Sequence, residues 1–140
     1  MTLVLAVSTL PVFARGTEVN PKVLTAFNDE FKTASEVKWT IEVNYTIATF
    51  TYNEKHVFAY YDNNGELLGL TRYVALADLP LMLQANLKNQ YSKYWISELY
   101  EVANNDGTAY YATVENADTK LVLKATDGKT WTSYKKYKKS

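Results

Sequence analysis

The chain has 140 residues, of which 47% are hydrophobic, 14% aromatic and 21% charged, the profile of one soluble globular domain rather than a disordered tail or a membrane bundle. Fifteen basic side chains balance fifteen acidic ones, which removes the electrostatic footprint needed to neutralise phosphates, so no nucleic-acid partner is expected. The absence of cysteine excludes disulfides, thiolate zinc sites and cysteine nucleophiles, and a single histidine leaves little imidazole chemistry.

Leu3 to Phe13 is an apolar run broken by Ser8, Thr9 and Pro11 and ending in Val12-Phe13-Ala14, whose small residues suit a signal peptidase. It is too short to span a bilayer, which takes about 20 apolar residues. The expectation is a signal peptide over residues 1–14 and an exported mature chain, periplasmic or secreted, over 15–140, with no transmembrane segment of its own. From Asn20 the pattern becomes helical. Asn20 can cap free amides, Pro21 sits where its missing N–H is harmless, and Leu24, Phe27, Phe31 and Ala34 recur at spacings of three and four. A helix over about 21–34 is predicted. The period then switches to two, with Val37, Trp39, Ile41 and Val43 alternating against polar residues, and further strands are predicted at Tyr45–Tyr52, Lys55–Tyr61 and Leu67–Val74. The turns between them are too short for parallel crossovers, so these strands form an antiparallel meander.

The second half reads the same way. A helix over about 80–92 places Leu83, Leu87 and Tyr91 on one face, followed by strands at Ile96–Ala103, Thr108–Glu115, Lys120–Thr126 and Thr130–Tyr137. The order αββββ thus occurs over about 20–75 and again over 76–137. Neither unit buries much apolar surface alone, so the predicted fold is α+β, a tandem αββββ repeat forming one eight-stranded antiparallel sheet with both helices on one face.

Ala48-Thr49-Phe50, the strand Val57-Phe58-Ala59-Tyr60-Tyr61-Asp62 ending in Asn63-Asn64-Gly65, the Leu79-Pro80 helix opening, Thr108-Ala109-Tyr110-Tyr111 and Asp127-Gly128 give most of residues 20–137 a resemblance to exported bacterial PepSY-like proteins. That family is similar in architecture to the beta-lactamase inhibitor protein family. The resemblance implies the tandem fold, a periplasmic or extracellular location and no catalytic activity. The inhibitory member works through a concave, aromatic-rich sheet surface, but none of its individual contact motifs is present here.

Candidate chemistry is sparse. Asp62-Asn63-Asn64-Gly65-Glu66 has the oxygen-rich start of a calcium loop but lacks the alternating ligands and distal glutamate, and reads as a hairpin turn. His56 reads as a solvent-facing strand residue. Glu98 with Glu101, or Glu42 with Glu54, would serve a carboxylate-based hydrolase only across a cleft of the right width. No glycine-rich phosphate cradle is present, and no cofactor or metal is expected. Lys129, Lys135, Lys136, Lys138 and Lys139, interleaved with Trp131, Tyr134 and Tyr137, read either as a dock for anionic partners or as lysines that protect an edge strand.

Strand parity supplies the functional lead. If Val57, Ala59 and Tyr61 face the helices, His56, Phe58 and Tyr60 face away; burial of Ala48 and Phe50 exposes Tyr45 and Ile47. Tyr73 is outside when Leu68 and Leu70 are inside, Tyr111 when Tyr110, Ala112 and Val114 are, and Trp131 joins the set. The predicted binding residues are therefore Tyr45, Phe58, Tyr60, Tyr73, Tyr111 and Trp131. Such a face suits protein hot spots and sugar platforms alike, or simply reflects the preference of tyrosine for half-exposed strands. The expectation is a non-enzymatic binding or inhibitory module with a protein partner; the alternatives are a cell-envelope glycan or peptide binder and, third, a hydrolase.

Overall fold

The computed structural model describes residues 18–140. The apolar N-terminal run, and the signal peptide expected there, lie outside the described residues. Helix α1 (Pro21–Glu30) starts as its residues dictate: the Asn20 side chain accepts the Lys22 amide at 2.8 Å and Pro21 takes the first position. It buries Val23 and Phe27. Leu24, expected on that face, sits on the flank at 36% exposure, and Val23 takes the place predicted for it. The helix also ends before residue 34. Phe31 leaves helical geometry at φ −125°, ψ 64°, yet its ring lies 5.6 Å from Phe27 and 4.9 Å from Phe50. The apolar spacing outlasts the helix because this ring reaches the core from the cap.

Four strands follow, β1 (Ser35–Ile41), β2 (Tyr45–Tyr52), β3 (Lys55–Asp62) and β4 (Leu67–Tyr73). A 3-10 turn at Leu76–Asp78 leads into α2 (Leu81–Gln90), which buries Leu83 and Leu87, with Tyr91 as its cap. The chain closes with β5 (Trp95–Asn104), β6 (Gly107–Glu115), β7 (Thr119–Ala125) and β8 (Thr132–Lys138). The eight strands form one sheet in chain order, every neighbouring pair antiparallel.

Residues opposite one another in such a ladder project to the same side. Val57, Arg72, Glu101, Tyr110 and Ala125 form one row across β3 to β7, so a single face runs through both halves. Two apolar clusters fill that face. Under α1, Val23 and Phe27 pack against Ala48, Phe50, Val57, Ala59 and Tyr61; under α2, Leu83 and Leu87 pack against Leu99, Ala112, Val114, Leu123 and Ala125. Both helices therefore cover the same side of the sheet.

Within the strands, parity fails at Leu68. The β3–β4 register shifts so that Gly69 faces Tyr60 while Leu67 faces Tyr61, leaving Leu68 as the extra residue. Leu68, expected inside, is 49% exposed, and Leu67 packs on the core instead. The Asp62–Glu66 segment is the expected turn: Asp62 Oδ1 accepts the amides of Asn64 and Glu66, each at 2.9 Å. Gly65 adopts φ 84°, and an added Cβ would lie 2.6 Å from the Lys22 carbonyl oxygen, so this turn holds the start of α1 against the sheet. Asn20 Nδ2 donates to the Asn63 carbonyl at 2.8 Å across the same contact.

Gly65→Ala is expected to cost about 2–4 kcal/mol, combining left-handed strain with a backbone clash. Gly128, at φ 75° with open space around it, carries the strain alone, and its alanine variant is expected to cost about 1–2 kcal/mol; urea midpoints of the two variants check the ordering. Tyr61, fully buried, donates to Glu30 Oε1 at 2.7 Å, and burial followed by that carboxylate raises its pKa far above the phenol range. A phenol whose folded pKa exceeds its unfolded one stabilises fully below about pH 10 and loses that contribution as pH rises further. Tyr61→Phe is therefore expected to flatten the fall in stability above about pH 10, measured by denaturant unfolding.

Candidate binding surface on the open sheet face

The side opposite the helices carries Tyr45, Phe58, Tyr60, Tyr73 and Tyr111, as parity predicts. One row of the ladder reads Tyr73, Tyr100, Tyr111, Lys124 across β4 to β7. The rings touch in sequence. Phe58 meets Tyr73 at 5.9 Å between centroids, Tyr73 meets Tyr100 at 6.2 Å, Tyr100 stacks on Tyr111 at 5.1 Å with an 8° interplanar angle, and Tyr111 meets Tyr134 edge-on at 5.5 Å. Tyr45 and Tyr60 form a separate pair at 6.1 Å. Burial between its neighbours, followed by the charge of Glu98, raises the Tyr100 pKa. Phe58, Tyr60, Thr71, Tyr73, Glu98 and Tyr100 enclose a shallow depression in the row, and Tyr45, Tyr60, Leu68 and Val102 line a second beside it.

Trp131 does not belong to this face. It precedes β8, is 4% exposed beneath α2, and its Nε1 donates to the Leu83 carbonyl at 2.9 Å. An indole needs a partner for its N–H when buried, and the first turn of α2 supplies one. Two contributors were missed. Tyr100 adjoins the buried Leu99, so the parity argument already places it outside. Tyr134 is less legible, because the β7–β8 register shifts between Val122 and Leu123 and the alternation changes phase there.

The basic side chains of β7 and β8 join the rings. Lys124 Nζ lies 5.6 Å from the Tyr111 centroid and 5.5 Å from that of Tyr134; Lys135 Nζ lies 5.7 Å from Tyr134, and Lys120 Nζ 5.9 Å from Tyr137. At the same edge Lys139 sits 4.7 Å over the Trp95 ring and pairs with Glu115 at 2.8 Å. Its amide donates to the Asp118 carbonyl and its Nζ to that of Asn116, each at 2.8 Å. Hydrogen bonds from Lys139, and then from Ser97, hold the Glu115 carboxyl below the usual range.

The acidic pairs considered for hydrolysis do not converge. Glu101 lies on the helix side, where Arg72 Nε donates to it at 2.8 Å, while Glu98 lies on the open side. Glu42 and Glu54 flank opposite ends of β2. His56 is exposed at the start of β3, opposite Thr51. The Arg72 guanidinium is pushed further up by its bond to Glu101, and burial, then Glu101, raises Tyr110 beside it.

No protein-family model and no curated protein matches the chain. Solved structures do. A BLIP-like protein from Bacteroides fragilis superposes with a TM-score of 0.73 at 16% identity over 84% of each chain. A DUF2874 family protein from Bacteroides ovatus superposes at 0.76 with 18% identity over 87% of this chain and 89% of its own. A protein from Bacteroides eggerthii, provisionally described as periplasmic, gives 0.73 and 15% over 87% and 90%. These likenesses establish a BLIP-like architecture. No helix among the described residues is long and apolar enough to cross a membrane.

A carboxyl with a depressed folded pKa stabilises fully above its unfolded value, about 4.3 for glutamate, and loses that contribution as pH falls through the folded one. Acidification below about pH 4 is therefore expected to release the β8 end before the rest of the sheet. Glu115→Gln should produce the same early release at neutral pH, seen as faster amide exchange confined to Thr132–Lys139.

Proposed function

We propose that this chain is an exported, non-enzymatic binding module of inhibitory type that engages a protein through the open face of its sheet. The observation that carries this reading is the unbroken contact row Phe58–Tyr73–Tyr100–Tyr111–Tyr134 on the side that no helix among the described residues covers. Tyrosines held against one another have already lost rotamer freedom, so a partner gains large amphipathic contact area at little further ordering cost. The separation of the acidic pairs across two faces or two ends of a strand supports a role without hydrolysis. The periplasmic description of one structural neighbour and the BLIP-like description of another support export and binding. In the same reading, the two helix-plus-four-strand units are copies of one design, and their end-to-end joining gives the face its width.

The ring geometry favours protein over glycan. A sugar platform presents a flat, free ring face, whereas Tyr100 and Tyr111 spend theirs on each other and the remaining contacts of the row are edge-on. Rings engaged with one another in this way combine apolar bodies with polar hydroxyls, a form suited to the mixed polar and apolar surface of a protein.

Affinity capture from periplasmic extract, with residues 15–140 as bait, tests the reading. A specific protein should be retained, and Phe58→Ala, Tyr60→Ala and Tyr111→Ala together should weaken retention by about tenfold or more while circular dichroism stays unchanged. Undiminished capture by the folded triple variant, or retention of a glycan in place of a protein, overturns it.

A further inference from the structure

The open face has a direction. Toward β3 and β4 the row carries Phe58 and Tyr73, with the Glu98 carboxylate beside them in the same depression, a charge that disfavours acidic groups there; at the β7–β8 end tyrosines alternate with lysines. The chain as a whole is electrically balanced, so this concentration is local. Lys120, Lys124 and Lys135 all fall on the open side by register, opposite Tyr137, Thr132 and Val122 respectively. Glu115, the carboxylate in the same row as Lys120, is already engaged by Lys139. Lys124 and Lys135 rest against tyrosine rings, which fixes their ammonium groups before a ligand arrives. Phenol hydroxyls and ammonium groups are then the polar groups crowning this end, and both donate hydrogen bonds.

We infer that the occupant of this face is an extended, acidic protein segment, laid across the strands with its carboxylates on Lys124 and Lys135 and its apolar residues toward Phe58. This rests on the binding-module reading and adds the partner's chemistry and orientation. From Tyr73 on β4 to Tyr134 on β8 the row spans four strand spacings, about 19 Å, which an extended segment covers in about six residues. Donors gathered at one end of the row complement carboxylates there and reject a basic or uniformly apolar segment.

The probe is fluorescein-labelled deca-glutamate, titrated against the chain at about 20 mM and about 200 mM salt, where screening separates charge-driven from apolar contact. Lys124→Glu with Lys135→Glu reverses two charges on the face. Lys136→Glu with Lys138→Glu reverses two on the same strand that point the other way, Lys136 lying opposite the core residue Leu121. Binding at low salt, weakened about tenfold or more by the first pair and less than about twofold by the second, is the expected result. Equal losses for the two pairs, tighter binding of deca-lysine, absence of deca-glutamate binding at low salt, or tighter binding of polygalacturonate with the same Lys124 and Lys135 dependence overturns the inference. Failure here is distinguishable from failure of the broader reading: a captured protein lost through the Phe58, Tyr60 and Tyr111 substitutions but indifferent to Lys124 and Lys135 leaves the platform standing and removes its acidic ligand.

Discussion

The ladder between β4 and β5 is the contact on which the rest of the molecule depends. It pairs Leu70 with Ala103, Thr71 with Val102, Arg72 with Glu101 and Tyr73 with Tyr100, and it is where strands on either side of the α2 connection meet in the sheet. Its register sets both faces at once. Arg72 and Glu101 meet on the helix side and Tyr73 and Tyr100 on the other, so a slip of one residue would part both pairs and turn the side chains of one strand to the wrong face. The charged pair inside and the aromatic pair outside thus specify the same alignment. A partly buried ion pair adds little net stability by itself, and its value here is in selecting one register over its neighbours.

Aromatic residues on the two faces are handled differently. On the covered side each buried polar tip finds a partner: Tyr61 gives its proton to Glu30 and Trp131 gives its N–H to the Leu83 carbonyl. Those bonds tie helices to the sheet and leave no buried side-chain donor or acceptor unmatched among the described residues. On the open side the rings lean on one another and lie beneath lysine ammonium groups, and Tyr73 and Tyr134 each keep about half their surface in water, at 52% exposure. A sheet needing only to stay soluble would meet water with threonine or lysine at these positions. Keeping large rings there is consistent with a surface shaped for contact.

Much of this arrangement is legible in the amino-acid order. Eight strands, their antiparallel sense and the inward set Ala48, Phe50, Val57, Ala59, Tyr61, Ala112 and Val114 follow from a period of two and from short polar turns. The failures have separate causes. Leu68 and Tyr134 stand where an extra residue shifts the pairing, and alternation carries no information about where a bulge will fall. Trp131 was assigned by strand parity although it lies just outside β8, where parity has no meaning and the space under α2 decides. Leu24 and Val23 differ by 100° around one helix, and three-and-four spacing alone does not choose between two adjacent apolar residues. The bonding of Glu101 to Arg72 depends on partners 29 positions apart, which no local pattern can reveal.

The buried apolar residues fall into two separate groups, one beneath each helix, and the strip of sheet between them is floored by Arg72, Glu101 and Tyr110 in place of fully enclosed hydrocarbon. Dense packing resists bending, whereas an ion pair near water tolerates small changes in separation at little expense. The midline of the sheet is accordingly expected to bend more readily than the strands beneath either helix. Since the tyrosine row crosses that midline, the binding role proposed for it would let its two halves adjust their curvature to a visitor without disturbing either hydrophobic centre, a form of adaptability that a single continuous core would deny.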